Sequence, residues 1–304
     1  MNAVELEKIR KSFGGYVAVE DLDLAVPEGA INGFIGPNGS GKTTTLRMIL
    51  RIFFPDQGVV RVMGVERGKA ADDRIGYLPE ERGLYKKMRI RDVLRFHAEL
   101  KGCRDCVKAI DDWLERFGLS AWRDKRVEAL SKGMAQKVQF IAAVIARPRL
   151  LILDEPFSGL DPVNMEVLKD AIVELKKNGT TILFSTHDMD VAERMCDRIF
   201  MIFRGRKVLD GTLQSIYDQY GKDTIRVRVA AANGALENLP GIIHVNDYGG
   251  YQELRLGAGG DSQMVLHELA RRTRVESFEL TRPSLHDIFV RIAQPGAASE
   301  ERHV

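Results

Sequence analysis

Residues 36–43 combine the residue types and spacing of a phosphate-binding loop. The stretch reads Gly-Pro-Asn-Gly-Ser-Gly-Lys-Thr, which fits the pattern G-x-x-x-x-G-K-[ST]. Glycines let successive backbone N–H groups point into one concavity, Lys42 can reach the outer phosphates, and the Thr43 hydroxyl can ligate Mg²⁺ at a helix N-terminus. We therefore expect a nucleoside triphosphate site formed by Gly36, Pro37, Asn38, Gly39, Ser40, Gly41, Lys42, Thr43 and Thr44.

Two carboxylates follow an apolar run at residues 150–153. The run Leu-Leu-Ile-Leu predicts a buried strand, and it leads directly into Asp154 and Glu155. The end of such a strand carries the metal-binding acid in proteins with a phosphate loop, so Asp154 is predicted to hold Mg²⁺. Glu155 could then accept a proton from an attacking water. The alternative interpretation of these acids is an N-terminal cap on the following segment.

The flanking sequence predicts the elements that position these residues. Residues 31–35 are a short apolar run, and residues 44–50 repeat apolar side chains at helical spacing, so the loop joins a strand to a helix. Strand candidates then alternate with helices, which predicts an α/β fold with a mainly parallel sheet; they are 31–35, 75–78, 150–153, 180–185 and 198–203. Alternation in residues 4–30 predicts an antiparallel edge.

Two further regions differ from this pattern. Between residues 89 and 147 there is no strand pattern, and apolar residues recur at helical spacing in 90–101, 107–118 and 132–146. This predicts an inserted helical subdomain. After Gly211, alternating and helical segments predict a small α+β domain at 222–292. The last residues, 293–304, lack periodicity and are expected to be disordered.

Composition excludes several classes of protein. The chain has 304 residues, of which 44% are hydrophobic and 29% charged, and its net charge of +2 gives no electrostatic reason to expect nucleic acid as a partner. Its apolar runs are far shorter than the ~20 residues of a membrane-spanning helix. Charged residues interrupt the N-terminus, so no signal peptide is expected and the chain is predicted to be cytoplasmic. Cys103-x-x-Cys106 has no second pair nearby and is interpreted as chance.

Five motifs in order carry a resemblance to a known family. After the phosphate loop come Leu-Ser-Lys-Gly-Met at 130–134, Leu-Asp-Glu-Pro at 153–156, Ser-Gly-Leu-Asp at 158–161 and Ser-Thr-His-Asp at 185–188. This order resembles the ATP-binding cassette (ABC) family, and the resemblance covers residues 1–215. It implies a P-loop NTPase cassette with ATP and Mg²⁺ as cofactors, in which Lys42, Glu155 and His187 are the catalytic residues.

The resemblance also implies that each nucleotide lies between two chains. In the family, the signature serine and glycine contact the terminal phosphate of ATP held by another subunit, and they correspond to Ser131 and Gly133. A serine hydroxyl and N–H groups at a helix start can bind an anion. Asp161 matches the loop that couples one site to its twin. Lys132 and Met134 depart from the usual Gly and Gln of this motif.

Two other positions are carried over from the family pattern. Phe13 matches the aromatic residue that stacks on adenine, and Tyr16 is the rival candidate. Glu80 occupies the place of a glutamine that usually follows the second strand. A carboxylate there could bind Mg²⁺ directly or through water, although it adds negative charge near phosphates.

Three short stretches and the C-terminal domain together resemble one branch of the family; the stretches are Lys-Gly-Met at 132–134, Glu-Glu-Arg-Gly-Leu-Tyr at 80–85 and Asp-Pro-Val-Asn at 161–164. That branch comprises the ATP-binding subunits of ABC-2-type exporters, similar to sodium-extrusion and drug-efflux systems. Membership implies a homodimer, or a pair with another ATP-binding subunit, together with integral membrane permease subunits at the cytoplasmic face of the membrane. Residues 82–95 are the segment where such permeases would dock, and the alternative is a solvated loop. Two other functions stay open: a soluble ABC-type ATPase acting on nucleic acid or ribosomes, and a regulatory module that binds ATP without hydrolysing it.

Overall fold

The computed structural model describes residues 1–66, 73–81, 83–103, 105–230 and 234–293. The chain divides into two compact units, Met1–Leu213 and Gln214–Val304. The predicted disordered segment 293–304 lies outside the described residues except for Ala293, which is the last residue of a helix.

The first unit contains two sheets. Its strands are β1 (Asn2–Phe13), β2 (Tyr16–Pro27), β3 (Ile31–Ile35), β4 (Gln57–Val62), β5 (Ile75–Leu78), β6 (Leu150–Asp154), β7 (Thr181–Thr186), β8 (Arg198–Phe203) and β9 (Arg206–Thr212). Strands β2-β1-β4 form an antiparallel sheet, and β5-β6-β7-β3-β8-β9 form the larger one. In the larger sheet the neighbouring strands β5, β6, β7, β3 and β8 pair in parallel, and β9 pairs antiparallel with β8. The predicted α/β fold class, with its antiparallel edge, is confirmed.

Three of the helices described in this unit begin at side-chain caps. They are α1 (Lys42–Ile49), α2 (Ile90–Leu100), α3 (Val107–Arg116), α4 (Lys132–Val144), α5 (Pro162–Lys177) and α6 (Met189–Met195). The side chains of Ser131, Asp161 and Asp188 accept backbone N–H bonds at the starts of α4, α5 and α6. Helices α2, α3 and α4 pack against one another in the region where the sequence predicts a helical subdomain.

The central strands determine where functional residues meet. Every residue of β3, β6 and β7 is buried, as expected for parallel strands covered on both faces. Because these strands and β5 run in parallel, the segments that follow them emerge at one edge of the sheet. That edge therefore brings together the phosphate loop after β3, Glu80 after β5, Glu155 after β6 and His187 after β7.

In its described residues, the second unit contains a four-stranded antiparallel sheet and three helices. Its strands are β10 (Thr224–Val229), β11 (Ile242–Asp247), β12 (Gln252–Leu256) and β13 (Val275–Thr281), in the order β11-β12-β10-β13. Its helices are α7 (Leu213–Tyr220), α8 (Ser262–Arg272) and α9 (Leu285–Ala293). Ile225, Val227 and Leu254 from the sheet pack with Val265 and Leu269 of α8 in a separate core.

Candidate functional site

A cleft of about 320 Å³ lies over the phosphate loop. Six of its lining residues belong to that loop or to the first turn of α1: Asn38, Gly39, Gly41, Lys42, Thr43 and Thr44. The others are Tyr16, Ala18, Glu80 and Glu155. The structure therefore brings the loop, the acid after β5 and the acid after β6 to one cleft.

The start of α1 requires glycine. Gly41 precedes the helix with φ +108°, and a Cβ added there would lie 2.6 Å from the carbonyl oxygen of Ala18. Lys42 is buried and donates from Nζ to the carbonyl oxygens of Gly36 at 2.6 Å and Pro37 at 3.1 Å. Burial lowers the pKa of Lys42, and the nearby acids oppose that shift. The phosphate loop thus surrounds the Lys42 ammonium group with its own carbonyl oxygens.

Asp154 is a buried carboxylate with one oxygen available. The Ser185 hydroxyl donates to Oδ1, whereas Oδ2 is buried without a hydrogen-bond partner. Burial raises the pKa of Asp154, and the hydroxyls of Ser185 and Thr43 act to lower it. A carboxylate that interacts with the Thr43 hydroxyl and keeps one oxygen free of hydrogen bonds matches the oxygen ligands that Mg²⁺ prefers. The site therefore fits a magnesium ion.

The protein supplies only part of such a coordination shell. In the described ranges no group of three or more His, Cys, Asp or Glu side chains is placed to hold a metal ion. Mg²⁺ usually keeps several waters and takes one or two protein ligands plus phosphate oxygens, so a sparse donor set is expected here.

Glu155 and His187 form a hydrogen-bonded pair. Glu155 Oε1 lies 2.8 Å from His187 Nδ1 and accepts the His187 backbone N–H at 3.0 Å, while Oε2 accepts from the Thr186 hydroxyl at 3.2 Å. A carboxylate only accepts, so this bond requires a proton on Nδ1. Glu155 has φ +48°, which is strained for a non-glycine residue. The carboxylate is thus held in one orientation beside the cleft.

Helix α4 contributes two residues that the sequence analysis missed. Gln136 and Gln139 are buried, at 3% and 5% exposure. Gln136 Nε2 donates to the carbonyl oxygen of Pro156 at 3.1 Å, and Gln139 Nε2 donates to those of Pro79 and Glu81, both at 3.2 Å. Amphipathic spacing could have flagged them, because both are polar residues on the face of α4 that is otherwise apolar.

The two aromatic candidates occupy different surroundings. Phe13 and Tyr16 face each other across the turn between β1 and β2. Phe13 packs edge-on against Phe53, with ring centroids 5.3 Å apart, and does not line the cleft. Tyr16 does line it, and its hydroxyl donates to the Gly39 carbonyl oxygen at 3.3 Å. The geometry favours Tyr16, and the assignment of an adenine-stacking residue stays a prediction.

The signature residues lie apart from this cleft. Ser131 accepts the Met134 backbone N–H at 3.3 Å and is exposed, and neither Ser131 nor Gly133 lines the cleft. Asp161 is also exposed and accepts the Asn164 backbone N–H at 3.0 Å, which lowers the pKa of Asp161. The side chain of Lys132 lies over Gly159, because a Cβ on that glycine would meet Lys132 Cε at 2.7 Å.

A second concavity of about 330 Å³ lies between the helices and the sheet edge. It is lined by mostly apolar residues that include Leu50, Tyr77, Pro79, Leu84, Leu100 and Gln139. We call it the helical groove. It lies beside the predicted docking segment 82–95, of which Arg82 is outside the described residues. Within the part of the chain that the structure covers, no helix has the length and apolar character to span a bilayer.

Comparisons with known proteins agree with this geometry. Residues 19–158 match the ABC transporter domain family, and residues 211–293 match the C-terminal domain of DrrA1-3-like ATP-binding proteins. The chain is 43% identical to the ABC transporter ATP-binding protein YhaQ of Bacillus subtilis, covering 94% of this chain and 96% of that protein. It is 33% identical to the Nod factor export ATP-binding protein I of Sinorhizobium fredii, covering 95% and 85%.

A solved structure shows the same fold. The ATP-binding subunit of an ABC transporter superimposes with a TM-score of 0.69 at 31% identity, covering 72% of this chain and 93% of that one.

Proposed function

Because the chain belongs to the family of ABC transporter ATP-binding proteins, we propose that it is the ATP-hydrolysing subunit of an ABC-2-type exporter. The observation that carries the proposal is the Glu155–His187 pair beside the phosphate loop. A module that only binds ATP would not need an oriented carboxylate at this place, so the pair favours hydrolysis.

Each residue of the site has a separate role in the proposed hydrolysis. Lys42 and the N–H groups of residues 36–43 hold the phosphates, and Lys42 exchanges its bonds to Gly36 and Pro37 for phosphate oxygens. Glu155 takes a proton from the attacking water. His187, held by Glu155 through Nδ1–H, would donate from Nε2–H to the terminal phosphate when its ring carries both protons. Thr43 and Asp154, with Glu80 nearby, would hold Mg²⁺, which neutralises phosphate charge when bound.

Hydrolysis is proposed to require two chains. Ser131, Gly133 and Asp161 are exposed or half-exposed and lie outside the cleft of their own chain, so they are free to complete the cleft of a second copy. A serine hydroxyl and backbone N–H groups at the start of α4 would then face the terminal phosphate from the opposite side. The pair is a homodimer or includes a related ATP-binding subunit.

Transport is proposed to occur through separate permease subunits. Relatives of this chain include a Nod factor export protein and a linearmycin resistance protein, so export is the direction we propose. The helical groove, next to exposed Tyr85, would accept an amphipathic helix of the permease. The subunit would then sit at the cytoplasmic face of the membrane through its partner.

Replacing Glu155 tests the hydrolytic step. Glu155→Gln keeps the size of the side chain but removes the base, so phosphate release should fall by about 10³-fold or more while ATP binding and ATP-dependent dimerisation remain. Phosphate release is measured with the permease present, and dimerisation by size-exclusion chromatography with ATP. Glu166→Gln, the same change at a side chain of α5 that is 68% exposed, is the matched control. Full hydrolysis by Glu155→Gln would contradict the assignment.

A further inference from the structure

Two buried amides of α4 reach the two loops that carry acids into the cleft. Gln136 and Gln139 are three residues apart, so they share one face of the helix. Gln136 bonds to the carbonyl of Pro156, the residue after Glu155. Gln139 bonds to the carbonyls on both sides of Glu80. One helix face therefore fixes the backbone next to each acid.

The loop after β6 needs such support. Glu155 adopts φ +48°, a conformation that costs a non-glycine residue about 1–3 kcal/mol unless its surroundings impose it. The bond from Gln136 to Pro156 is buried, where a hydrogen bond is not exchanged with water. Two further contacts join the start of α4 to this loop, since Lys132 lies over Gly159 and Leu160 lies close to Gly133.

The loop after β5 is held differently. Glu80 and Glu81 are exposed, and the backbone on either side of Glu80 is bonded to Gln139 by two bonds of 3.2 Å. Gln139 also lines the helical groove, and its Oε1 is buried without a hydrogen-bond partner. The amide that fixes Glu80 is thus also a wall of the proposed docking site.

We propose that Gln136 and Gln139 act as a two-amide clamp, through which α4 positions Glu155 and Glu80 together. Both are positioning residues, since they touch backbone carbonyls beside the acids and not the reacting atoms. The clamp rests on the proposed function, because it gives the roles of base and metal ligand to Glu155 and Glu80. A shift of α4, such as a partner in the helical groove could cause, would move both acids at once.

Replacing each amide by methionine, which is similar in length but cannot donate, separates the contribution of Gln136 from that of Gln139. Gln136→Met should lower kcat about 10- to 100-fold with the KM for ATP within about threefold, because misplacing a catalytic group by 1 Å can cost 10²-fold. Gln139→Met should raise the Mg²⁺ concentration for half-maximal phosphate release about tenfold, as for lost outer-shell partners of metal ligands. The matched control is Lys137→Met, since Lys137 donates from the same helix to the carbonyl of Phe117, away from both acids.

Hydrogen exchange of the full-length, nucleotide-free protein provides a readout that does not depend on turnover. Gln136→Met should speed amide exchange in residues 155–160, and Gln139→Met in residues 76–81, with Lys137→Met changing neither. If Gln136→Met does not fold, Gln136→Asn, which keeps the amide one methylene short, is used in its place.

The outcomes separate the two proposals. Wild-type rates and Mg²⁺ dependence in both glutamine variants, with unchanged exchange in both segments, would overturn the clamp. Absence of phosphate release from the wild-type protein with its permease would overturn the proposed function, while the exchange measurement would still decide whether the amides hold the loops.

Discussion

The geometry of Gly41 makes a quantitative prediction for the phosphate loop. Gly41 has φ +108°, and a Cβ there would lie 2.6 Å from the Ala18 carbonyl oxygen, about 0.8 Å closer than an ordinary contact of 3.4 Å. The obstructing atom belongs to the backbone of β2, which cannot move aside as a flexible side chain could. Gly41→Ala must therefore displace the loop itself.

The cost of that displacement can be estimated. An alanine held in a sparsely populated backbone conformation costs about 1–3 kcal/mol, and this penalty applies to the cradle that binds phosphate. If the variant pays this penalty only when ATP is bound, ATP affinity falls about 5- to 150-fold. The additional clash with Ala18 places Gly41→Ala at the upper end of this range. The fold around the loop should remain, because the rest of α1 is unaffected.

Gly39 provides the control within the same loop. Its φ is +76°, but a Cβ there would meet nothing within 4 Å. Gly39→Ala therefore carries only the backbone penalty, on the order of 1 kcal/mol, and should weaken ATP binding by about fivefold. Isothermal titration of ATP into both variants, with circular dichroism to confirm folding, measures the difference. Equal affinities for the two alanine variants would refute the steric reasoning.

Two further predictions concern stability. Burial raises the pKa of Asp154, so the ionised carboxylate opposes folding at pH values above its folded-state pKa. Asp154→Asn should therefore raise the melting temperature measured without nucleotide. This gain in stability should vanish below the ordinary carboxyl pKa of about 3.9. Melting curves from pH 4 to pH 8 test this, and a gain independent of pH would contradict it. Arg291→Met should destabilise the second unit by about 2 kcal/mol, because Arg291 is 12% exposed and bonds to Asp223 at 2.7 and 3.1 Å. Arg271→Met, at an exposed pair with Glu268, should cost at most about 0.5 kcal/mol in the same denaturant titration, and equal losses would refute the distinction.

Local sequence is sufficient to predict the strands and helices whose own hydrophobic pattern is strong. The central strands are continuous apolar runs, and helices such as α2 show clear amphipathic spacing, so both kinds were predicted close to their observed positions. Strand β4 was not predicted. It is short, contains Gly58 at φ +85°, and exists because β1 pairs with it, which is a contact between distant parts of the chain.

The residues of the site also differ in whether local sequence can predict them. The phosphate loop and the acid pair are contiguous motifs, so their residues could be named from the sequence. The pairing of Glu155 with His187 and the bonds of Gln136 and Gln139 join residues that are 20 to 60 positions apart, and no local pattern specifies them. The aromatic candidates illustrate the limit: Phe13 and Tyr16 are both compatible with the sequence, and only the packing of Phe53 against Phe13 separates their surroundings.

Several features that oppose folding lie together around the phosphate loop. Asp154 Oδ2 and Ser40 Oγ are buried without partners, Glu155 has a strained backbone, and Lys42 is buried against carbonyl oxygens. Burial or strain makes each of these costly, and phosphate with Mg²⁺ would supply a charged partner for Lys42 and a metal ion for the free oxygen of Asp154. Binding should therefore stabilise the first unit by more than its contact area alone would suggest. Since Gln136 fixes the strained loop from α4, part of that stabilisation should reach the helices around the helical groove, where we propose that a permease docks.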